Sequence, residues 1–457
     1  MIKFLLLFLL TATSLTAREG YKYPYSDDAS LSTYQERREK LIASLPKNSV
    51  VILLSADFFS GSGGFESENL FSQNLYYLSG MPQQKAVLLL IPGGFKIAGE
   101  FPNEILFLNN QAADDITWNG YRMGITDAEK YLKIKKVMDI SLLDSILDVI
   151  VNDHDTIFFD MLAKTKHFLN GKEHTECDIE LISKIKTNHP KLCLKFNIPN
   201  ITMMRSIKDE EEIGIIQKAV DITIEGHKAV INSEIVGKTE YQLQAIMEYQ
   251  FKHHGAERPA YGSIVGSGKN SCFLHYQNNI DTVRNGDLIL LDCAAKYHGY
   301  CADITRTIPA NGEFSIEQRI IYNIVLEAMD SAFAQCRRGN KFSLIHEKAK
   351  EVIAEKLLEQ LIITNKDEVD KYFPHGTSHF IGLNVHESGS GDTLKVGNFL
   401  TIEPGIYIRS GSPCDNRWWN IGIRIEDNVL ITDFGYINLS EKLPRKPEEI
   451  EEMMKKK

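Results

Sequence analysis

The sequence predicts two domains, an α/β unit over residues 18–200 and an α+β unit over residues 201–457. Three observations point there. A chain of 457 residues is longer than one core usually serves. Up to about Phe159, apolar runs of strand composition alternate with helix-like stretches. From Met203 the pattern changes to amphipathic helices set in pairs between blocks of strand, with some pseudo-repetition.

The elements follow in order. TYQERREKLIASL, from Tyr34, reads as a helix with Leu41, Ile42 and Leu45 on its apolar side, and SVVILLSAD as a buried strand. The loop FSGSGGFE after it lacks the third glycine of a dinucleotide fingerprint and opens no clear helix, so it reads as a surface loop at Gly61–Gly64. The aromatic segment NLYYLSG precedes strands at Ala86–Ile91 and Glu104–Leu108. The same alternation continues through Ile140–Val151 and Thr156–Phe159.

MRSIKDEEEIGIIQKAVDITIEGHKAVI reads as one long helix, because Ile213, Ile216, Val220 and Ile224 recur at helical spacing behind an acidic start at Asp209–Glu212. The domain boundary is placed just before it, near residue 200. A helix at Glu240–His254, strands at Ala260–Gly266 and 288–307, two helices between Ile316 and Leu361, and strands at Asn398–Glu403 and Ile421–Ile431 complete the chain. VGSGKN at 265–270 is no phosphate loop: Ser263 stands where glycine is needed, and Asn270 where Ser or Thr would hold magnesium.

Hydrophobic residues at 43% and charged ones at 25% describe a soluble globular chain. A formal net charge of −10 without a basic stripe excludes nucleic acid as a partner. Residues 1–17, MIKFLLLFLLTATSLTA, have the layout of a secretory signal peptide, with cleavage after Ala17 or Ser14, so the protein is expected to be exported, periplasmic or secreted. That apolar core is too short to span a bilayer, so no stable membrane insertion is expected. Seven cysteines without CxxC spacing argue against structural zinc and read as buried thiols.

The chemistry concentrates in LILLDCAAKYHGYCADITRT, 288–307. It reads as a hairpin whose two strands carry Asp292 and Asp303 opposite each other on one face. Facing carboxylates need a shared proton, a neighbouring cation or a metal. Three further stretches decide among these: FPHGTSHFIGLNVHES with His375, His379 and His386; NFLTIEPGIY with Glu403; and IGIRIEDNVLI, whose alternation puts Gly422, Arg424 and Glu426 on one face. Four carboxylates at apolar strand segments repel one another, and Arg424 offers one positive charge against them. Two divalent cations supply the rest. Four carboxylates and one imidazole, with no thiolate, suit Mn²⁺ or Co²⁺, leaving Zn²⁺ and Fe²⁺ open. Carboxylates bridging such a pair point to metal-assisted hydrolysis.

DCAAKYHGYCADITRT, HGTSHFIGLNVHE, TIEPGIY and GIRIEDNVLI resemble the ordered motifs of the pita-bread metallopeptidases, and within them the aminopeptidase P (Xaa-Pro aminopeptidase) family. YGSIVGSGKNSCFLHY, MRSIKDEEEI and the terminal RKPEEIEEM agree, while NLYYLSG and WNGYR resemble that family's accessory domain more loosely. The resemblance implies an α+β pita-bread C-terminal catalytic domain with an α/β N-terminal accessory domain. It implies two metal ions, Mn²⁺ in first place with Co²⁺ or Zn²⁺ as alternatives, held by Asp292, Asp303, His379, Glu403 and Glu426, with Asp303 and Glu426 bridging. It assigns His275, His386 and Glu403 to catalysis, and His375, Arg424 and Tyr407 to binding substrate, a peptide with proline at its second position. A homo-oligomer, dimer or tetramer, is implied as well. Prolidase, restricted to Xaa-Pro dipeptides, is the nearest alternative reading, and a peptide-binding module on the same scaffold a second.

Overall fold

The structure is a computed structural model that describes residues 31–55, 73–81, 86–110, 116–118, 120–160, 167–169, 172–174, 180–389 and 391–455. The expected signal peptide, the glycine loop at 61–64 and Cys177 lie outside the described residues.

In the N-terminal part, α1 (Leu31–Ser44), β1 (Ser49–Leu54), α2 (Gln73–Ser79), β2 (Ala86–Leu90), β3 (Glu104–Leu108), α3 (Ile125–Tyr131), β4 (Val137–Asp139), α4 (Leu143–Asn152), β5 (Thr156–Phe159), the small ribbon β6–β7 (His167–Leu169 and Lys172–His174), α5 (Glu180–Asn188) and β8 (Cys193–Lys195) follow one another. Six strands form a mixed sheet in the order β4-β3-β2-β1-β5-β8. Its centre is buried on both faces, which is why β1 is apolar almost throughout. Val50, Ile52 and Leu54 pack toward Leu143, Leu147 and Ile150 of α4, while Val51 and Leu53 face a core that runs on into the C-terminal part. NLYYLSG, given no element by its pattern alone, forms α2 with Leu75, Tyr76, Tyr77 and Leu78 buried.

The C-terminal part begins with a departure from expectation. The single long helix is two, α6 (Ile201–Ser206) and α7 (Glu210–Ile231), with Ile207 extended between them. Asp209 is the reason: its carboxylate accepts from the Glu212 N–H at 2.9 Å and the Glu212 carboxylate from the Asp209 N–H at 3.1 Å, a reciprocal cap that starts a new helix. After α8 (Glu240–His253) come β9 (Arg258–Pro259), β10 (Ile264–Ser267), β11 (Leu288–Asp292), β12 (Ala295–Tyr297), β13 (Tyr300–Cys301) and β14 (Thr305–Pro309). Then α9 (Ile316–Phe333) and α10 (Ser343–Glu359) precede β15 (Phe399–Ile402), β16 (Gly405–Ile408), β17 (Ile421–Arg424), β18 (Asp427–Thr432), β19 (Gly435–Asn438) and α11 (Pro447–Lys455). The strands form short antiparallel sheets, β10-β11-β14, β13-β12-β9, β15-β18-β19 and β16-β17. The chain thus has an α+β part following an α/β part, as the sequence predicts.

The long strands expected from the sequence are each cut in two. In the 288–307 hairpin, β11–β14 and β12–β13 keep one register but belong to different sheets. Asp292 pairs with Thr305, so Asp303 is its diagonal neighbour on the same face rather than its direct opposite. Likewise β17 leaves β16 and the chain joins β15 as β18, with Ile425 and Glu426 between.

The VGSGKN segment turns its donors inward. The buried Glu240 carboxylate accepts from the Ser267 N–H and hydroxyl, Asn270, Tyr276 and the Asp281 N–H, all within 3.0 Å, leaving those groups engaged. The six described cysteines are free, four of them buried, with Cys193 exposed and Cys414 between. No helix among the described residues is long and apolar enough to cross a membrane.

Candidate metal centre

The four carboxylates all stand where a strand ends or changes sheet. Asp292 closes β11, Asp303 precedes β14, Glu403 separates β15 from β16, and Glu426 separates β17 from β18. Asp292 still pairs with Ile264 and Thr305 at the end of its strand, while Asp303, Glu403 and Glu426 lie outside the ladders. His379 comes from the loop beside β15, where its N–H donates to Thr401 Oγ1 at 3.1 Å. Its Nε2 lies 3.5 Å from Asp303 and 3.6 Å from Glu403.

Asp303, His379 and Glu426 each offer a donor atom within 4.8 Å of the others'. Tyr261 ties Asp292 to this group, its hydroxyl lying 2.6 Å from Asp292 and 2.5 Å from Asp303. Cys293, next in sequence to Asp292, turns away and donates to the Ile264 carbonyl. The donors that converge are therefore carboxylates and one imidazole, as hard divalent cations require.

The electrostatics describe a cluster short of positive charge. Burial pushes Glu403 up to about 7, against the pull of His379 and Arg424. Burial and then the charges of Asp303 and Glu403 raise Glu426 well above the carboxylate range, and burial raises Asp292 although Arg424 opposes it. Burial works against a charged His379, but Asp303 and Glu403 outweigh it and lift the ring to about 9. Protons occupy the place of cations, so cation binding must expel them.

The sign follows for both groups. A carboxyl raised to about 7 and an imidazole raised to about 9 each make the metal-free fold bind protons more tightly than the unfolded chain. Their stabilising contribution is then lost as pH rises, through about 7 for Glu403 and about 9 for His379. Urea unfolding of chelated protein is expected to show stability falling from about pH 5 to 9, and metal titration to show affinity rising over the same range. A pH-independent affinity would contradict this electrostatic account.

A directed chain of hydrogen bonds backs one side of the cluster. Arg424 pairs with Asp292 at 2.5 Å and donates to the Tyr407 hydroxyl at 2.8 Å. The His375 Nε2 lies 2.8 Å from that hydroxyl and its Nδ1 2.8 Å from the Gly376 carbonyl. Only one arrangement satisfies all three: Tyr407 donates to Nε2, and Nδ1 carries the proton. Burial and then Arg424 hold His375 down at about 3, which keeps the ring neutral.

A cavity of about 700 Å³ opens onto these groups. Asp292, Asp303, His379, Glu403 and Glu426 line it together with His275, His375, His386 and Arg424. Ile264, Leu274 and Val385 add apolar wall. Tyr407, expected at the substrate pocket, is not among the lining residues. It is buried behind the wall, where it joins Arg424 to His375. Three contributors have no counterpart among the residues expected from sequence: Tyr261; Thr305, whose hydroxyl donates to Glu426 at 2.8 Å; and Asn428, which bonds both the N–H and the carbonyl of Asp303. Tyr261 sits in YGSIVGSG between β9 and β10, and its one signal is a polar-tipped aromatic where the strand pattern breaks.

Known proteins agree with this architecture. Residues 214–433 match the model of metallopeptidase family M24, and residues 34–158 that of the aminopeptidase P N-terminal domain. The chain is 30% identical over 443 residues to Xaa-Pro aminopeptidase of Escherichia coli K12, covering 93% of this chain and 98% of that one. It is 29% identical to the mitochondrial intermediate cleaving peptidase 55 of Arabidopsis thaliana, covering 93% of this chain and 83% of that one. Among solved structures, Pseudomonas aeruginosa aminopeptidase PepP superimposes with a TM-score of 0.83 at 30% identity, covering 94% of this chain and 98% of that one.

Proposed function

The chain belongs to metallopeptidase family M24, with an aminopeptidase P N-terminal domain ahead of the catalytic one, and from that premise we infer a metal-dependent aminopeptidase that hydrolyses the bond between an N-terminal residue and a following proline. The observation that carries this is one cavity in which four carboxylates, four imidazoles and a guanidinium converge.

Asp292, Asp303, His379, Glu403 and Glu426 would hold two divalent ions, Mn²⁺ first, with Co²⁺ or Zn²⁺ as alternatives; the thiolate-free donor set supports that order. Ions bound there lower the pKa of water and polarise a carbonyl. The remaining work falls to the chain. Glu403, with its carboxyl near 7 before metal binds, is poised to take a proton at one carboxylate oxygen and return it. His275 and His386 face the same space and are assigned to the developing oxyanion and the leaving nitrogen. Before metal binds, His386 is held below its usual value by burial and then by His379. Arg424 and the neutral His375 form the wall proposed for the proline side, oriented by Tyr407.

A bond before proline has no N–H, so a site built on carbonyl attack accepts what most peptidases cannot. A free α-amine held near the metals would enforce cleavage after a single residue, and an accessory domain that narrows the cleft would add specificity. The boundary between the domains belongs near residue 200, supported by the separation of the two matched ranges. Export is proposed from the layout of residues 1–17, and a homo-oligomer from the family resemblance.

The test strips purified residues 18–457 of metal, restores Mn²⁺, and compares an Xaa-Pro-Yaa tripeptide with an Xaa-Pro dipeptide and an Xaa-Ala-Yaa control. The tripeptide is expected to be cleaved at least about tenfold faster than either competitor. Turnover of the dipeptide alone would make the protein a prolidase. Size-exclusion chromatography with light scattering and fractionation of the producing cells check the other two proposals.

A further inference from the structure

The ring of His386, assigned to the leaving nitrogen, receives no hydrogen bond from any described residue. Its one ring contact is the edge-to-face packing on His379 at 4.4 Å. Its place must therefore come from its own backbone, and the next residue supplies the anchor.

The Glu387 side chain, 3% exposed, folds back beneath the turn that carries His386. Its Oε1 accepts from the Leu383 N–H at 2.9 Å and from Arg205 at 2.5 Å, and its Oε2 accepts from Lys208 at 2.9 Å. The Glu387 N–H donates to the Phe380 carbonyl at 2.8 Å, closing the turn. Gly382 makes room: a Cβ there would lie 2.6 Å from Lys208 Nζ and 2.9 Å from Glu387 Cδ. Burial disfavours the charge, but Lys208 and Arg205 outweigh it and hold Glu387 at about 2, so the brace is ionised throughout the working range.

The brace continues into the other domain. Arg205 also donates to Asn74 Oδ1 at 2.8 Å, and Asn74 donates to Asp160, just beyond β5, at 2.6 Å. An unbroken polar path thus runs from the N-terminal sheet to the residue beside His386.

We propose that Glu387 is the positioning residue for His386, and that the accessory domain sets that position through Asn74 and Arg205. This rests on the aminopeptidase reading and adds a second duty for the N-terminal domain besides confining the cleft.

The test measures kcat and KM on the Mn²⁺-loaded protein with the tripeptide, for Glu387→Gln and Asn74→Ala, each alone and on a His386→Ala background, with metal content and melting temperature alongside. Glu387→Gln is expected to lower kcat on the order of 10–100-fold with KM nearly unchanged and both metals retained, and Asn74→Ala to produce a smaller loss of the same kind. On His386→Ala neither is expected to lower kcat further. Equal losses in both backgrounds would overturn the proposal. Should Glu387→Gln fail to fold, Asn74→Ala carries the same comparison. A crystal structure of the variant tests the same point without relying on activity: His386 displaced from His379 supports the brace, and an unmoved ring overturns it. A native enzyme inactive on the tripeptide would instead remove the functional reading, leaving the crystallographic arm to decide on Glu387.

Discussion

Asp303→Asn is expected to abolish peptide hydrolysis, by about 10³-fold or more, in a protein that still folds. The magnitude is set against the ~10–100-fold usual when a group one step removed from a metal is lost; Asp303 is closer than that. Its carboxylate meets both Tyr261 and His379, and Asn428 brackets its backbone N–H and carbonyl. Amide for carboxylate preserves the volume and the contact with Tyr261, so packing is untouched.

Without metal the substitution works both ways, relieving the charge that raises Asp292 and Glu426 and removing the partner that lifts His379, so the variant's stability should lie close to that of the native chain. With metal the two should separate. Native protein gains about 2.7 kcal/mol at a hundredfold excess of ion over Kd, and the variant gains much less. Parallel melting curves with and without Mn²⁺, beside the peptide assay, settle the matter. A variant that keeps turnover, or one that unfolds without metal, would count against the role given to Asp303.

The second large effect is on stability. Arg306→Met is expected to cost about 3–5 kcal/mol, the usual penalty for removing one partner of a buried ion pair. Arg306 and Asp427 are both fully buried and meet at 2.6 Å. The other Arg306 donors reach the carbonyls of Thr305, Glu426, Leu443 and Pro444, so all five N–H groups are used. One of those carbonyls belongs to Glu426, so activity should fall with stability.

pH separates this from a simple packing loss. Burial would raise Asp427, but Arg306 outweighs it and keeps the carboxyl below its usual value. The stability that depends on it is present above the ordinary carboxylate range and is lost as pH falls through the lowered value. Urea midpoints of native and variant protein should therefore differ most near neutrality and converge in acid. A gap unchanged down to pH 3 would mean that the ion pair was not its source.

The site is legible in the sequence because its chemistry contradicts its surroundings. Asp292 after LILL and Glu403 after FLTI are each an acid where the run demands an apolar residue, Glu426 shares the Arg424 face of an apolar strand segment, and such features survive in one dimension. What lies between them does not. A strand that changes sheets keeps its alternation, so nothing in IGIRIEDNVLI marks the passage from β17 to β18, and nothing in the 288–307 hairpin marks its division. Helical periodicity likewise continues through Ile207 and Lys208, and only the pairing of Asp209 with Glu212, a local capping signal, records the break. The motif around Tyr407 points it to the pocket, but whether an aromatic lines a wall or stands behind it depends on neighbours remote in sequence. Arg306 and Asp303 are three residues apart on one stretch, yet they face opposite ways, Arg306 toward Asp427 and Asp303 toward the cavity.

Placing each carboxylate at a break between sheets also governs when the centre can come into being. Asp292 and Asp303 leave the ribosome ahead of α9 and α10, and Glu426 emerges only after both helices and three further strands. No local stretch holds enough donors to capture an ion, unlike a zinc finger whose ligands lie within one short loop. Ion loading is therefore a step of the folded polypeptide, and a chain ending before Glu426 would lack a metal ligand, the Asp427 partner of Arg306 and the β18 pairing of β15 together.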